Sequence, residues 1–321
     1  MSSKVAFLFP GQGSQAVGMG KALAASSKAA AQVFAEADAA LGEASSPGAQ
    51  AGPLSQVIFE GPVDELKRTR TTQPAILTTS IACLRALEER GVHAPAYVAG
   101  HSLGELSALV AAGSLSLADA VRAVRARGTF MQEAVPEGQG AMAAVLGLDA
   151  GKIGDVVKTV DGAWVANENG PEQTVIAGTQ AGVAAATTAL KAAGAKRVMP
   201  LPVSAPFHCP LMAPVQPRLD DVLAGLTIGA PRVPVVTNVD ARPNSDASKV
   251  RGLLVQQVTA RVRFTEIARF LLDDGVDTFV EVGPGKVLIG ILKRMGATRM
   301  FNVEDPASLD ATVAALGGSN G

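Results

Sequence analysis

The pentapeptide Gly100-His101-Ser102-Leu103-Gly104 constrains this chain more than any other feature. It follows the short apolar run Tyr97 to Ala99 and opens a helical segment, so the local reading is strand, sharp turn, helix. A G-x-S-x-G sequence in that setting makes an elbow. Its glycines let the backbone turn tightly, and the serine is projected beside the unpaired N–H groups of the new helix. A chance match that merely caps a helix is the alternative, and the strand before and the helix after weigh against it. Ser102 is the candidate nucleophile.

A serine hydroxyl needs a base, and the chain has 3 histidines. His101 adjoins Ser102 across the turn, so the two side chains should diverge. His93 precedes the elbow strand and should lie at its far end. His208, in Ser204-Ala205-Pro206-Phe207-His208, follows a predicted strand and comes after the serine in chain order, as in hydrolase-like enzymes. Asp220, Asp221 and Asp240 are open as a third member, and so is a backbone carbonyl that accepts the other imidazole N–H.

Ala120, Val124, Arg127 and Met131 fall at helical spacing on one inward stripe. A guanidinium placed there needs a partner, because an unpaired buried charge is very costly. The partner is either a structural carboxylate or the anion of a ligand, and the planar fork suits a substrate carboxylate. Gly11-Gln12-Gly13-Ser14-Gln15-Ala16 imitates a dinucleotide-binding fingerprint after a strand. Val33 to Leu41 reads as helix rather than as the second strand that fold requires, so the loop is read instead as a donor of backbone N–H groups facing the elbow.

The 321 residues suit one large domain with a smaller one inserted. Strands are expected at Val5 to Phe9, Tyr97 to Ala99, Pro234 to Asn238 and Thr278 to Val282. Helices are expected from near Gly18, at Pro62 to Arg68, Gln73 to Arg90, Asp119 to Gln132, Asp246 to Gln257, Thr265 to Asp273 and Val287 to Arg294. Between them, Ala141 to Leu146, 151–160, 163–167, 173–178, 180–193 and 196–201 alternate as βαββαβ, a ferredoxin-like unit. Gly42 to Pro53 reads as a surface loop, and the terminal GGSNG as frayed.

A net charge of -1 gives no electrostatic case for nucleic acid or an anionic membrane. The two cysteines, Cys83 and Cys209, suggest neither a disulfide framework nor a zinc site. The apolar run at Val5 to Phe9 is too short for a signal segment, and no later run reaches membrane-spanning length, so a soluble cytoplasmic protein is expected.

Taken together, FPGQGSQ, GHSLGE, RGTFMQEAVPEGQGAMAAV, PLPVSAPFHCPLM and VEVGPGK resemble malonyl-CoA:acyl carrier protein transacylases, from the first strand to about residue 295. The resemblance implies an α/β-hydrolase-like catalytic domain (1–136 and 202–321) with a ferredoxin-like small domain (137–201). It implies Ser102 as nucleophile, His208 as base, Arg127 as malonate clamp and the N–H groups of Gln12 and Leu103 as oxyanion hole. Gln257 would orient His208 through its backbone carbonyl, and Asn167 and Asn169 would line the site, beside His101. The implied reaction passes malonyl from coenzyme A through Ser102 to the phosphopantetheine thiol of acyl carrier protein, in fatty acid or polyketide synthesis. It needs no metal or cofactor, and a monomer is expected. Gly170 and Glu172, and Thr259-Ala260, depart from the usual pattern. A serine hydrolase and a non-catalytic carrier-docking module are the rivals; Arg127 counts against the first and the Ser-His pair against the second.

Overall fold

The computed structural model describes residues 3–42, 52–92, 94–203 and 205–317. His93, Ser204, nearly all of the Gly42 to Pro53 loop and the last four residues lie outside that set.

Two sheets organise the chain. The larger has six strands in the order β10 (Arg299–Val303), β9 (Thr278–Val282), β1 (Val5–Phe9), β2 (Tyr97–Gly100), β7 (Val235–Val236) and β8 (Pro243–Asn244). All pair in parallel except β7 with β8. The apolar runs of β1 and β9 occupy the middle, buried on both faces, which is why they read as continuous rather than alternating hydrophobic segments. The carboxyl ends of β1 and β2 lie side by side, with Phe9 opposite Gly100. The register therefore brings the Gly11 loop against the elbow, at the edge of a parallel sheet where ligands bind.

The smaller sheet has the order β4 (Ala163–Glu168), β5 (Gln173–Thr179), β3 (Gly140–Leu146) and β6 (Arg197–Pro200), all antiparallel. With helices Ala150–Val157 and Gln180–Ala192 it forms the expected ferredoxin-like βαββαβ unit, with its own apolar core around Val145, Ile153, Ile176 and Leu190. The architecture is thus an α/β-hydrolase-like sheet carrying an inserted ferredoxin-like unit.

Helix Thr69–Glu89 is buried along nearly its whole length and includes Pro74. It begins four residues before its expected start. The helix expected from near Gly18 is two helices, Lys21–Ser26 and Lys28–Leu41, divided at Ser27, whose hydroxyl caps the second by accepting from Ala30 N. The strand expected over Pro234 to Asn238 shrinks to two residues, because Thr237 turns the chain toward β8 by donating to Arg242 O.

Candidate active site

At the elbow, Ser102 has φ 54°, a left-handed conformation that costs a non-glycine residue about 1 to 3 kcal/mol. The flanking glycines are there for space. A Cβ on Gly100 would lie 2.0 Å from the backbone of Gly104, and one on Gly104 would lie 2.2 Å from Phe9 O. Helix Gly104–Ala111 starts directly after. The turn is held by Asn238, whose Oδ1 accepts from Ser102 N (2.7 Å) and whose Nδ2 donates to Gly100 O (2.6 Å).

His208, also at positive φ (58°), places Nε2 2.7 Å from Ser102 Oγ and Nδ1 3.0 Å from the backbone oxygen of Gln257. A carbonyl only accepts, so Nδ1 carries the proton and Nε2 is free to take one from Ser102. The orienting group is therefore the carbonyl; Asp220 instead pairs with Arg251 at the surface. Burial, and next the positive charge of Arg127, push His208 down to about 3, so the imidazole is neutral at pH 7.

Arg127 is 1% exposed. Its Nη1 donates to Gln73 Oε1 (2.8 Å), and its Nη2 to Gln257 Oε1 (2.9 Å) and Ser102 Oγ (3.1 Å); Nε has no partner among the described residues. Of the two partners left open by the sequence, a structural carboxylate is absent among the described residues: two neutral amide oxygens and a hydroxyl hold the cation, and no salt bridge neutralises it. Burial lowers its pKa to about 10, with Glu105 opposing the shift, so it remains charged at neutral pH. A buried cation held only by neutral groups is poised for an anion.

Ser102, His208, Arg127 and Gln73 line a cavity of about 100 Å³ together with Gln12, Leu103, Met131, Met142, Asn167 and Phe207. Among the described residues, the N–H groups of Gln12 and Leu103 have no acceptor. The Gly11 loop lies so close to the elbow that a Cβ at Gly11 would meet His101 O at 2.6 Å. A bulge between Val165 and Asn167 breaks the β4 register and turns Asn167 to the cavity, its Oδ1 without a partner among the described residues. Asn169 sits one layer back, with Oδ1 2.8 Å from His101 Nε2, while Ser102 Oγ meets His208 instead.

Three participants were not anticipated from the sequence: Gln73, Asn238 and Glu105. Glu105 is the one a signal could have found, since it directly follows the elbow and is a carboxylate inside a buried helix, accepting from Asn238 N (2.9 Å) and Gln257 Nε2 (2.7 Å).

The model of the acyl transferase domain matches residues 6–315. The chain is 47% identical over 315 residues to the malonyl CoA-acyl carrier protein transacylase of Salmonella typhimurium, covering 97% of this chain and 99% of that one. It is also 47% identical over 319 residues to the Bacillus subtilis protein of the same name, covering 98% of each. The chain belongs to the malonyl-CoA:acyl carrier protein transacylase family. Among solved members of the family, the Coxiella burnetii transacylase superposes with a TM-score of 0.93 at 38% identity, covering 98% of each chain. A malonyl-transacylase solved in complex with a type II PKS acyl-carrier protein superposes at 0.92 with 44% identity, covering 98% of this chain and 100% of that one. Among the described residues no helix is long and apolar enough to cross a membrane, and no group of three or more His, Cys, Asp or Glu side chains could hold a metal ion.

Proposed function

We propose that this chain transfers malonyl from malonyl-CoA to the phosphopantetheine thiol of acyl carrier protein, with Ser102 as nucleophile, His208 as base and Arg127 as carboxylate clamp. The observation that carries the reading is the convergence of His208 Nε2 and Arg127 Nη2 on one hydroxyl, at 2.7 and 3.1 Å. As Ser102 Oγ attacks the thioester carbonyl, its proton passes to His208 Nε2, and the carbonyl oxygen takes up the N–H groups of Gln12 and Leu103. Each such donor is worth about 100- to 1000-fold in rate. Collapse breaks the C–S bond, the thiolate of coenzyme A receives the proton back, and malonyl remains as an ester on Ser102. The carrier thiol then attacks that ester with the same base.

Arg127 supports the choice of acyl group. A malonyl ester on Ser102 ends in a carboxylate two carbons beyond its carbonyl, short enough to fold back onto a guanidinium already within hydrogen-bond distance of Oγ. Its charge would then offset that of Arg127, which depresses His208, so the substrate carrying the second carboxylate also strengthens the base. The chemistry calls for no metal or redox cofactor. The catalytic domain is assigned to residues 1–136 and 202–321 and the small domain to 137–201, with the protein a cytoplasmic monomer serving fatty acid or polyketide synthesis. Incubating the enzyme with malonyl-CoA and holo carrier protein, and weighing the carrier, tests the reading: an added malonyl mass is expected, and an unchanged carrier overturns it.

A further inference from the structure

The amide of Gln257 makes three hydrogen bonds that fix which way it points. Its Oε1 accepts from Arg127 Nη2 (2.9 Å), while its Nε2 donates to Glu105 Oε2 (2.7 Å) and to Ser102 O (3.1 Å). Turned over, the NH2 group would face a guanidinium that only donates, and the oxygen would face two acceptors. Met131, Met142 and Phe207 make much of the rest of the cavity apolar, so an amide in the wrong orientation would leave the buried Arg127 short of an acceptor.

We propose that Glu105 is a positioning residue whose Oε2 sets the Gln257 amide so that its oxygen faces Arg127, and thereby tunes the carboxylate clamp. The inference rests on the clamp reading of Arg127. Glu105 is 2% exposed, and the same Oε2 accepts from Asn238 N (2.9 Å). Asn238 in turn holds Ser102 N, and the backbone carbonyl of Gln257 holds His208. One carboxyl oxygen thus ties together the supports of the nucleophile, the base and the clamp. The charged groups acting on it are Arg127 and, less strongly, Asp240; burial pushes its carboxyl up to about 7. A protonated carboxyl keeps one acceptor oxygen, so the function needs the acceptor rather than the charge.

The test is a set of specificity constants for malonyl-CoA and acetyl-CoA. Glu105→Gln keeps an acceptor and should hold the malonyl-to-acetyl ratio within about threefold of wild type. Glu105→Met keeps the volume and removes the acceptor; the ratio should fall about tenfold or more, chiefly through the malonyl KM. Gln257→Met, which spares the backbone carbonyl, should lower the ratio similarly. The double Met variant should fall no further, because both changes release the same contact. Equal loss for both substrates in Glu105→Met, or single effects that multiply in the double variant, would overturn the proposal. So would an unchanged ratio in Gln257→Met, which decides the matter should Glu105→Met fail to fold. Failure of the clamp reading itself shows earlier, as a wild-type enzyme with no preference for malonyl.

Discussion

Replacing Arg127 by Ala separates a clamp from a structural cation. Its guanidinium donates to Gln73, Gln257 and Ser102 and, among the described residues, forms no salt bridge with a carboxylate. A malonyl carboxylate can engage the fork through two charge-assisted hydrogen bonds, worth about 1.5 to 3 kcal/mol each. Their loss should cost malonyl transfer about 3 to 6 kcal/mol, or about 10²- to 10⁴-fold in kcat/KM. Acetyl has no carboxylate to hold and should lose far less. The substitution also orphans the Gln73 and Gln257 side-chain oxygens, at about 1 to 3 kcal/mol each, so the melting temperature should fall. That stability loss is common to both substrates and cancels in their ratio. Arg127→Lys should recover part of the malonyl rate, because an ammonium keeps the charge without the planar fork. The assay is the malonyl-to-acetyl ratio of specificity constants in wild type, Arg127→Ala and Arg127→Lys. An unchanged ratio in the Ala variant would refute the clamp.

Other expectations follow from the same geometry. His208→Ala should slow both half-reactions together, measured as burst release of coenzyme A and as carrier malonylation; slowing of only one would remove His208 from its place. Because His208 is held near 3 in the native state against 6.5 unfolded, acylation should show no drop between pH 8 and 5, and a fall centred near 6.5 would contradict the neutral-imidazole account. The same shift means that the unfolded chain binds the extra proton between those values, so this group's contribution to stability is full above about pH 6.5 and is lost as pH falls toward 3. Gly104→Ala should lower the melting temperature sharply and abolish acylation, since its Cβ would sit 2.2 Å from Phe9 O; normal activity would show that the elbow tolerates the contact by moving.

Much of this arrangement was legible in the sequence because it is local. The elbow is written in five residues, and Thr278–Val282 and Val287–Arg294 form with the bounds their patterns suggest, each set off by Gly283-Pro284-Gly285. The alternation in residues 140–200 gave away the ferredoxin-like unit. Helix Val215–Ala224 was hidden by Pro214 and Pro217, which the chain tolerates at a helix start. Leu54–Glu60, β10 and Pro306–Leu316 were likewise not anticipated: the first is seven residues long and the other two follow the last motif read. In the site, Arg127 was found by its stripe, yet its partners could not be. Gln73 lies 54 residues away and Gln257 lies 130, and nothing in a pattern of helical spacing says which amides meet across a folded core. Asn238 escaped for the same reason, since its bonds to Gly100 and Ser102 span more than 130 residues.

The central claim is that the acyl group rides on Ser102, and the most direct measurement is the intact mass of the enzyme after brief exposure to malonyl-CoA without carrier protein. Wild type should gain one malonyl group, mapped by peptide analysis to Ser102, and should lose it on addition of holo carrier. Ser102→Ala should gain none while keeping its circular dichroism spectrum. A malonyl adduct that persists in the folded Ser102→Ala variant, or that maps elsewhere in wild type, would contradict the account.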